Sequence, residues 1–68
     1  MLYIMNIRKL ITELTDQFEK KTESVEIKFV EADTDQSAID KLTQYYTQMN
    51  TDTITYSYEL INIDHVIN

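Results

Sequence analysis

The sequence predicts a small α+β domain, or a small α/β domain, with two helices packed on one face of a short sheet. Two stretches carry apolar residues at helical spacing, two carry them at alternate positions, and the order along the chain is helix, strand, helix, strand. The length of 68 residues allows one domain, covering residues 1–68. Because the chain contains neither Gly nor Pro, its turns must be built from Asn, Asp, Thr and Ser.

The first predicted helix runs from residue 6 to about residue 21. Its apolar residues recur at intervals of three and four and form one stripe, made of Ile7, Leu10, Ile11, Leu14 and Phe18. Asn6 is a candidate N-cap. Residues 2–5 permit several interpretations: an earlier start of the helix, a short strand, or a segment ahead of a natural start at Met5.

The first predicted strand covers residues 24–31. Val25, Ile27 and Phe29 alternate there with Glu26 and Lys28, so the strand has one apolar and one charged face. We expect the apolar face to lie under the helices and the charged face to meet solvent or a partner.

The second predicted helix covers residues 35–49, and Asp33 or Thr34 caps its N-terminus. Its apolar stripe comprises Ala38, Ile39, Leu42, Tyr45, Tyr46 and Met49. The second predicted strand covers residues 53–60. Its apolar side chains occupy alternate, even-numbered positions: Ile54, Tyr56, Tyr58 and Leu60.

The parity of the apolar positions changes after Leu60. Ile61, Ile63 and Ile67 are odd-numbered, which predicts a bulge or bend near Leu60 and Ile61. This tail then falls on a face that the helices leave uncovered. A hydrophobic edge strand of this kind pairs with other chains, so the sequence predicts either a homodimer or a tail that becomes ordered on a partner.

Strand, helix and strand in succession predict a βαβ unit with parallel strands. Two strands alone are marginally stable, so we expect a third strand from either terminus or from a second chain. The predicted core takes the central residue of each apolar pattern: Ile11, Leu14, Ile27, Phe29, Leu42, Ile54 and Tyr56.

The composition excludes several classes of function. The net charge of −6 disfavours direct binding of nucleic acid and of anionic membranes, which both need clustered Lys and Arg. With no cysteine and one histidine, neither a thiolate nor a histidine-rich metal site is expected, and no cofactor is expected. His65 lies beside Asp64 but has no nucleophile at a recognisable spacing, so the sequence does not predict an enzyme. Neither a signal peptide nor a membrane span is visible, which favours the cytoplasm.

The acidic residues are concentrated after residue 21. Residues 22–68 hold nine acids against two lysines. Such a surface attracts a protein partner with a basic surface and is able to imitate the phosphates of a nucleic acid. The candidate partner-binding residues are Glu31, Asp33, Asp35, Asp40, Asp52, Glu59 and Asp64. A solvated acidic surface that only maintains solubility would look the same.

Two functions follow from these features. The leading hypothesis is an acidic inhibitor that covers the basic groove of a nucleic-acid-binding protein of the host. The alternative is a small regulatory or structural interaction module, antitoxin-like or a homodimeric adaptor, that binds through the uncovered sheet face and the C-terminal strand.

The segment Met5-Asn6-Ile7-Arg8-Lys9-Leu10-Ile11-Thr12-Glu13-Leu14 resembles the start of the DNA-mimicking anti-CRISPR inhibitors. The small size and acidic charge resemble those of anti-defence proteins from phages and mobile elements. The resemblance covers about ten residues, and it implies an inhibitor of the anti-CRISPR or anti-defence type. The hairpins and glycine-bearing turns of those inhibitors have no counterpart here, and no functional residue is carried over.

Overall fold

The computed structural model describes all of residues 1–68. Its elements are β1 (Leu2–Leu14), β2 (Glu19–Glu31), α1 (Asp35–Met49) and β3 (Ile54–Ile67). They form a three-stranded sheet in the order β2-β1-β3, in which β1 is antiparallel to both neighbours. The predicted α+β class is confirmed. The prediction of two helices on the sheet is wrong, because the fold is β-β-α-β with one helix.

The first predicted helix is a strand because its residues form the middle of the sheet. Tyr3, Met5 and Ile7 are buried beneath α1, while Ile4 and Leu10 on the opposite face are half-buried. This central strand therefore has apolar residues at odd and even positions alike. Apolar residues spaced three and four positions apart, such as Ile7, Leu10 and Ile11, then occur in a strand as well as in a helix. The interpretation of residues 2–5 as a strand is correct, although that strand continues to Leu14.

A Thr-Asp dipeptide occurs at each of the three connections: Thr15-Asp16, Thr34-Asp35 and Thr51-Asp52. The threonine hydroxyl accepts a hydrogen bond from the backbone N–H three residues later, 3.1 Å from Phe18, 3.1 Å from Ser37 and 3.0 Å from Ile54. Such side-chain contacts replace the backbone freedom that Gly supplies in other turns. The prediction of turns without Gly or Pro is confirmed, and Thr34 is the residue that caps α1.

The strands β2 and β3 run in the same direction, as the βαβ prediction requires, but β1 lies between them. The pairing of β1 with β3 skips Ile61 and Asp64, which confirms the predicted bulge near Leu60 and Ile61. The expectation for the tail is partly wrong. Ile63 returns to the helix side and packs against the core, whereas Ile67 stays exposed.

The core lies between α1 and one half of the sheet. Its buried members are Tyr3, Met5, Ile7, Ala32, Ala38, Leu42 and Tyr46. Of the predicted core, Leu42 is buried, and Ile11, Ile54 and Tyr56 are half-buried. The remaining predictions are wrong, because three of those side chains are exposed: Leu14, Ile27 and Phe29.

The molecule is elongated. Its radius of gyration is 13.6 Å, against about 11 Å for a compact domain of this length. The helix spans about 22 Å, whereas the longest dimension of the molecule is 48 Å. The tip of the β1–β2 hairpin therefore extends beyond the helix. No helix is long and apolar enough to cross a membrane.

Candidate functional site

The side of the sheet that faces away from α1, here called the open face, carries apolar side chains without any cover. Val25, Ile27 and Phe29 of β2 are 66%, 59% and 65% exposed. They lie beside alternate residues of β1, because Val25 pairs with Arg8 and Phe29 pairs with Ile4. The three side chains thus form one continuous row along the outer strand of the open face.

Polar groups on the open face pair with one another across the strands. The Arg8 guanidinium lies 3.2 Å from a Glu59 carboxylate oxygen and 3.7 Å from one of Glu23, so it links all three strands. Asn6 Nδ2 donates a hydrogen bond of 2.8 Å to Asn62 Oδ1. The apolar row of β2 therefore borders polar groups that already have partners.

The helix side of β2 is polar. Lys9 Nζ donates a hydrogen bond of 2.9 Å to Glu26 Oε1, and Lys28 Nζ lies 3.7 Å from Glu26 Oε2. The same ammonium of Lys28 lies over the rings of Tyr45 and Tyr46, at 5.6 and 5.8 Å from their centroids. These charges stay at the rim of the helix, where their ammonium groups reach water.

The orientation of β2 is opposite to the expectation from its sequence. The four-residue loop between β1 and β2 fixes their register, in which Met5 pairs with Lys28 and Ile7 pairs with Glu26. Because Met5 and Ile7 are buried under α1, their charged neighbours lie on the helix side as well. The apolar residues of β2 then point to the open face.

The group of Lys9, Glu26, Lys28, Tyr45 and Tyr46, here called the polar cluster, alters the pKa of two of its members. The hydrogen bond from Lys9 lowers the pKa of the Glu26 carboxyl group. Burial, supported by the negative charge of Glu26, raises the pKa of Tyr46 to about 12. The Tyr46 hydroxyl and Glu26 Oε2 are both buried without a hydrogen-bond partner. Tyr46 is accordingly neutral at physiological pH, and the cluster holds β2 to the helix through charge.

We expect Glu26→Gln to lower the free energy of unfolding by about 1 kcal/mol at neutral pH, because Lys9 and Lys28 lose their counter-charge. Since folding lowers the pKa of Glu26, its charge stabilises the protein above the unfolded pKa near 4.5. This contribution disappears as the pH falls through the folded pKa. Urea unfolding of both proteins at neutral pH and at about pH 3 measures it. An undiminished difference in acid would contradict the assignment.

The seven candidate acidic residues do not form one surface. Glu31, Asp33 and Asp35 lie together where β2 passes into α1. Burial and the charges of Asp35 and Asp33 raise the pKa of Tyr3 beneath them. The Met1 ammonium contacts Glu31 Oε1 at 2.8 Å, and Lys41 Nζ donates to the Glu31 carbonyl at 2.6 Å. This corner is therefore less purely acidic than the sequence indicates.

The other four candidates are dispersed. Asp40 is exposed on α1 and accepts a hydrogen bond of 2.9 Å from Gln36. Asp52 lies in the turn at the opposite end of the helix, and Glu59 lies on the open face beside Arg8. Asp64 occupies the second bulge of β3. No single basic groove contacts all seven residues in one orientation.

The alternation in β2 predicts that its apolar face lies under the helices, with Ile27 and Phe29 in the core, so the pattern within β2 does not indicate a site. A signal for them is present in β1. Residues 2–11 have apolar side chains at odd and at even positions, which indicates a strand with apolar residues on both faces. A single helix covers one of these faces and leaves the other open.

Comparison of the chain with family models, with curated proteins and with solved structures found no match.

Proposed function

We propose that this chain is a protein-interaction module that binds the apolar surface of a folded protein through its open face. The observation that carries the proposal is the row of Val25, Ile27 and Phe29, each more than half exposed on a regular strand. Contiguous apolar patches on soluble proteins mark interaction sites, whereas single exposed apolar residues need no explanation.

The energy of covering this row supports the proposal. Complete burial of a Val, Ile or Phe side chain contributes about 1.5–3 kcal/mol. Covering the exposed parts of three such side chains therefore contributes about 4 kcal/mol. A core in a chain of this size supplies about 3–5 kcal/mol in total. The gross burial energy available on the open face is thus large beside the net stability of such a chain, and it offsets part of the entropic cost of association.

The polar groups of the open face are compatible with a bound protein. Arg8 pairs with Val25 on the open face, and it already contacts Glu23 and Glu59. Its partial burial would therefore leave no uncompensated charge, and the remaining cost is the desolvation of the ion pairs.

A second proposal is the inhibition of a nucleic-acid-binding protein by the acidic residues. The observation in its favour is that Asp33, Asp35 and Asp40 take part in none of the ion pairs of the molecule. They lie around the first turns of α1, away from the open face, and would meet a basic surface independently of it.

Two single substitutions separate the proposals. We expect Ile27→Thr to reduce binding of the partner at least about tenfold, because it removes apolar area from the centre of the row and keeps a β-branched residue. Asp40→Lys is expected to leave binding within about twofold. The measurement is affinity capture from nuclease-treated lysate, followed by hydrogen exchange of the captured complex. Protection of residues 25–29 supports the open face.

The acidic-inhibitor proposal requires the reverse pattern. Asp40→Lys would then weaken the complex strongly, nucleic acid would compete with the chain for its partner, and Ile27→Thr would bind as the unmodified chain does. That result would refute binding through the open face.

A further inference from the structure

Resting on the proposed function, we propose that the protein bound to the open face is a second copy of this chain. The two sheets would stack through their open faces, with both helices on the outside. The charged polar cluster of each chain then keeps its contact with water.

The open face is complementary to itself about the cross-strand row of paired residues that contains Ile27. In this cross-strand row, which runs perpendicular to the apolar row, Ile27 pairs with Asn6, and Asn6 pairs with Asn62. A two-fold axis along this cross-strand row lies parallel to the sheets and perpendicular to the strands, and it places Ile27 against the partner's Ile27. It also places Val25 against the partner's Phe29. The apolar row of one chain then covers the apolar row of the other.

The same axis matches the polar positions of β3. Glu59 pairs with Arg8 and His65 pairs with Ile4, so they lie at equal distances on either side of the Asn62 row. The axis therefore brings His65 opposite the partner's Glu59, a hydrogen-bond donor opposite an acceptor.

A two-fold axis parallel to the strands is disfavoured by the same side chains. It would stack β2 on the partner's β3, so that Ile27 and its neighbours would meet Glu59 and His65. Charged and polar groups would then be buried against apolar ones without new partners.

The axis across the strands also places Arg8 against the partner's Ile4. At the ends of the overlap it places Glu23 opposite the partner's Glu31. We assign this axis because it alone matches the apolar row of β2 with apolar side chains of the partner.

The size of the overlap sets the expected affinity. The axis lies nearer to one end of the sheet, so the copies overlap from the row of Leu2 to the row of Leu10. At strand dimensions this strip measures about 30 Å by 14 Å. Its plane of about 400 Å² for each chain, or about 800 Å² in total, lies below the roughly 1,200 Å² of stable interfaces and in the range of weak, transient ones. A weak, reversible dimer with a dissociation constant on the order of 10–100 μM is therefore expected.

The thermodynamics of the single chain favour such a partner. The chain buries 7 of its 68 residues, and it has no cysteine with which to form a disulfide. Chains of this size commonly gain stability by association. Closed two-fold dimers are the commonest assembly of soluble proteins.

Sedimentation equilibrium from about 1 μM to about 1 mM chain tests the proposal. We expect reversible dimerisation of the unmodified chain. Ile27→Glu places two carboxylates against each other on the axis, so its dissociation constant is expected to rise about 100-fold. The control is Phe18→Glu, which introduces the same charge at a similarly exposed apolar residue in the hairpin turn. This control is expected to dimerise within about twofold of the unmodified chain.

Cross-linking tests the geometry without altering the apolar row. Asn62→Cys lies on the axis, and Thr55→Cys lies on the same strand and face, six rows away along β1. In the dimer two thiols at position 62 face each other, while two at position 55 are about 40 Å apart. A bismaleimide of about 10 Å is expected to join the first pair and not the second. The chain has no other cysteine to react.

A chain that stays monomeric at every concentration overturns the proposal, as does a dimer that tolerates Ile27→Glu or cross-links through position 55 instead of 62. If the chain is monomeric but another protein is captured through Ile27, self-association is wrong and the proposed function stands. If neither self-association nor capture depends on Ile27, both are wrong.

Discussion

Leu42→Ala is expected to lower the free energy of unfolding by about 2–5 kcal/mol, which is most of the stability of a chain of this size. Leu42 is 3% exposed and lies in the middle of the contact between α1 and the sheet. Its truncation leaves a cavity that the closely packed surroundings fill incompletely. Leu42 is the middle one of three buried helix residues, with Ala38 one turn before it and Tyr46 one turn after it.

Leu14→Ala is the matched control, because the same atoms are removed from a residue that is 50% exposed at the end of β1. We expect it to cost less than about 1 kcal/mol. Urea unfolding at one fixed chain concentration measures both variants, since association would otherwise add to the apparent stability. Equal losses of unfolding free energy at the two positions would contradict the fold. They would instead favour the predicted first helix, in which Leu14 belongs to the buried apolar stripe.

Arg8→Pro is expected to lower the free energy of unfolding by about 3 kcal/mol or more, enough to leave much of the chain unfolded. Arg8 lies in the central strand and pairs with Val25 on one side and with Glu59 on the other. Proline removes a ladder hydrogen bond and its ring is not accommodated between two neighbouring strands.

The helix that the sequence pattern favours predicts another outcome for this variant. With Asn6 as its N-cap, Arg8 would lie in the first turn, where proline is tolerated. Arg8→Thr is the control, since it removes the ion pairs with Glu23 and Glu59 but keeps the backbone N–H. Its expected cost is below about 1 kcal/mol. Circular dichroism of the two variants during urea unfolding decides between strand and helix.

The second half of the fold is predictable from sequence because its elements are amphipathic on their own. The apolar stripe predicts a helix over residues 35–49, and the structure has it as Asp35–Met49, capped by Thr34. The alternation of β3 and the change of parity at its bulge are both present in the sequence. In each case the apolar side of the element is also the side that packs on the core.

The first half is not predictable in this way, because β1 carries apolar residues on both faces and so loses its period of two. Its Ile7, Leu10 and Ile11 satisfy a helical stripe equally well. Deciding between the two requires the pairing partners, which lie elsewhere in the chain.

The open face depends on tertiary information for a related reason. Alternation in β2 shows that Val25, Ile27 and Phe29 share a face, but not which face the helix covers. That choice follows from the hairpin register and from the burial of Met5 and Ile7. The dispersal of the acidic residues is likewise a property of the topology, since residues close in sequence lie at different ends and faces of the sheet.

The position of β1 has a consequence for the order of synthesis. The strand at the middle of the sheet is the first to leave the ribosome, and the strand that closes its second edge is the last. A nascent chain can form the β1–β2 hairpin early, but β1 keeps a row of unpaired backbone groups until residue 67 has been added. During that interval β1 offers its free edge to any neighbouring nascent chain. The modest separation of β1 and β3 along the chain limits this exposure, because little time passes between the synthesis of the two strands.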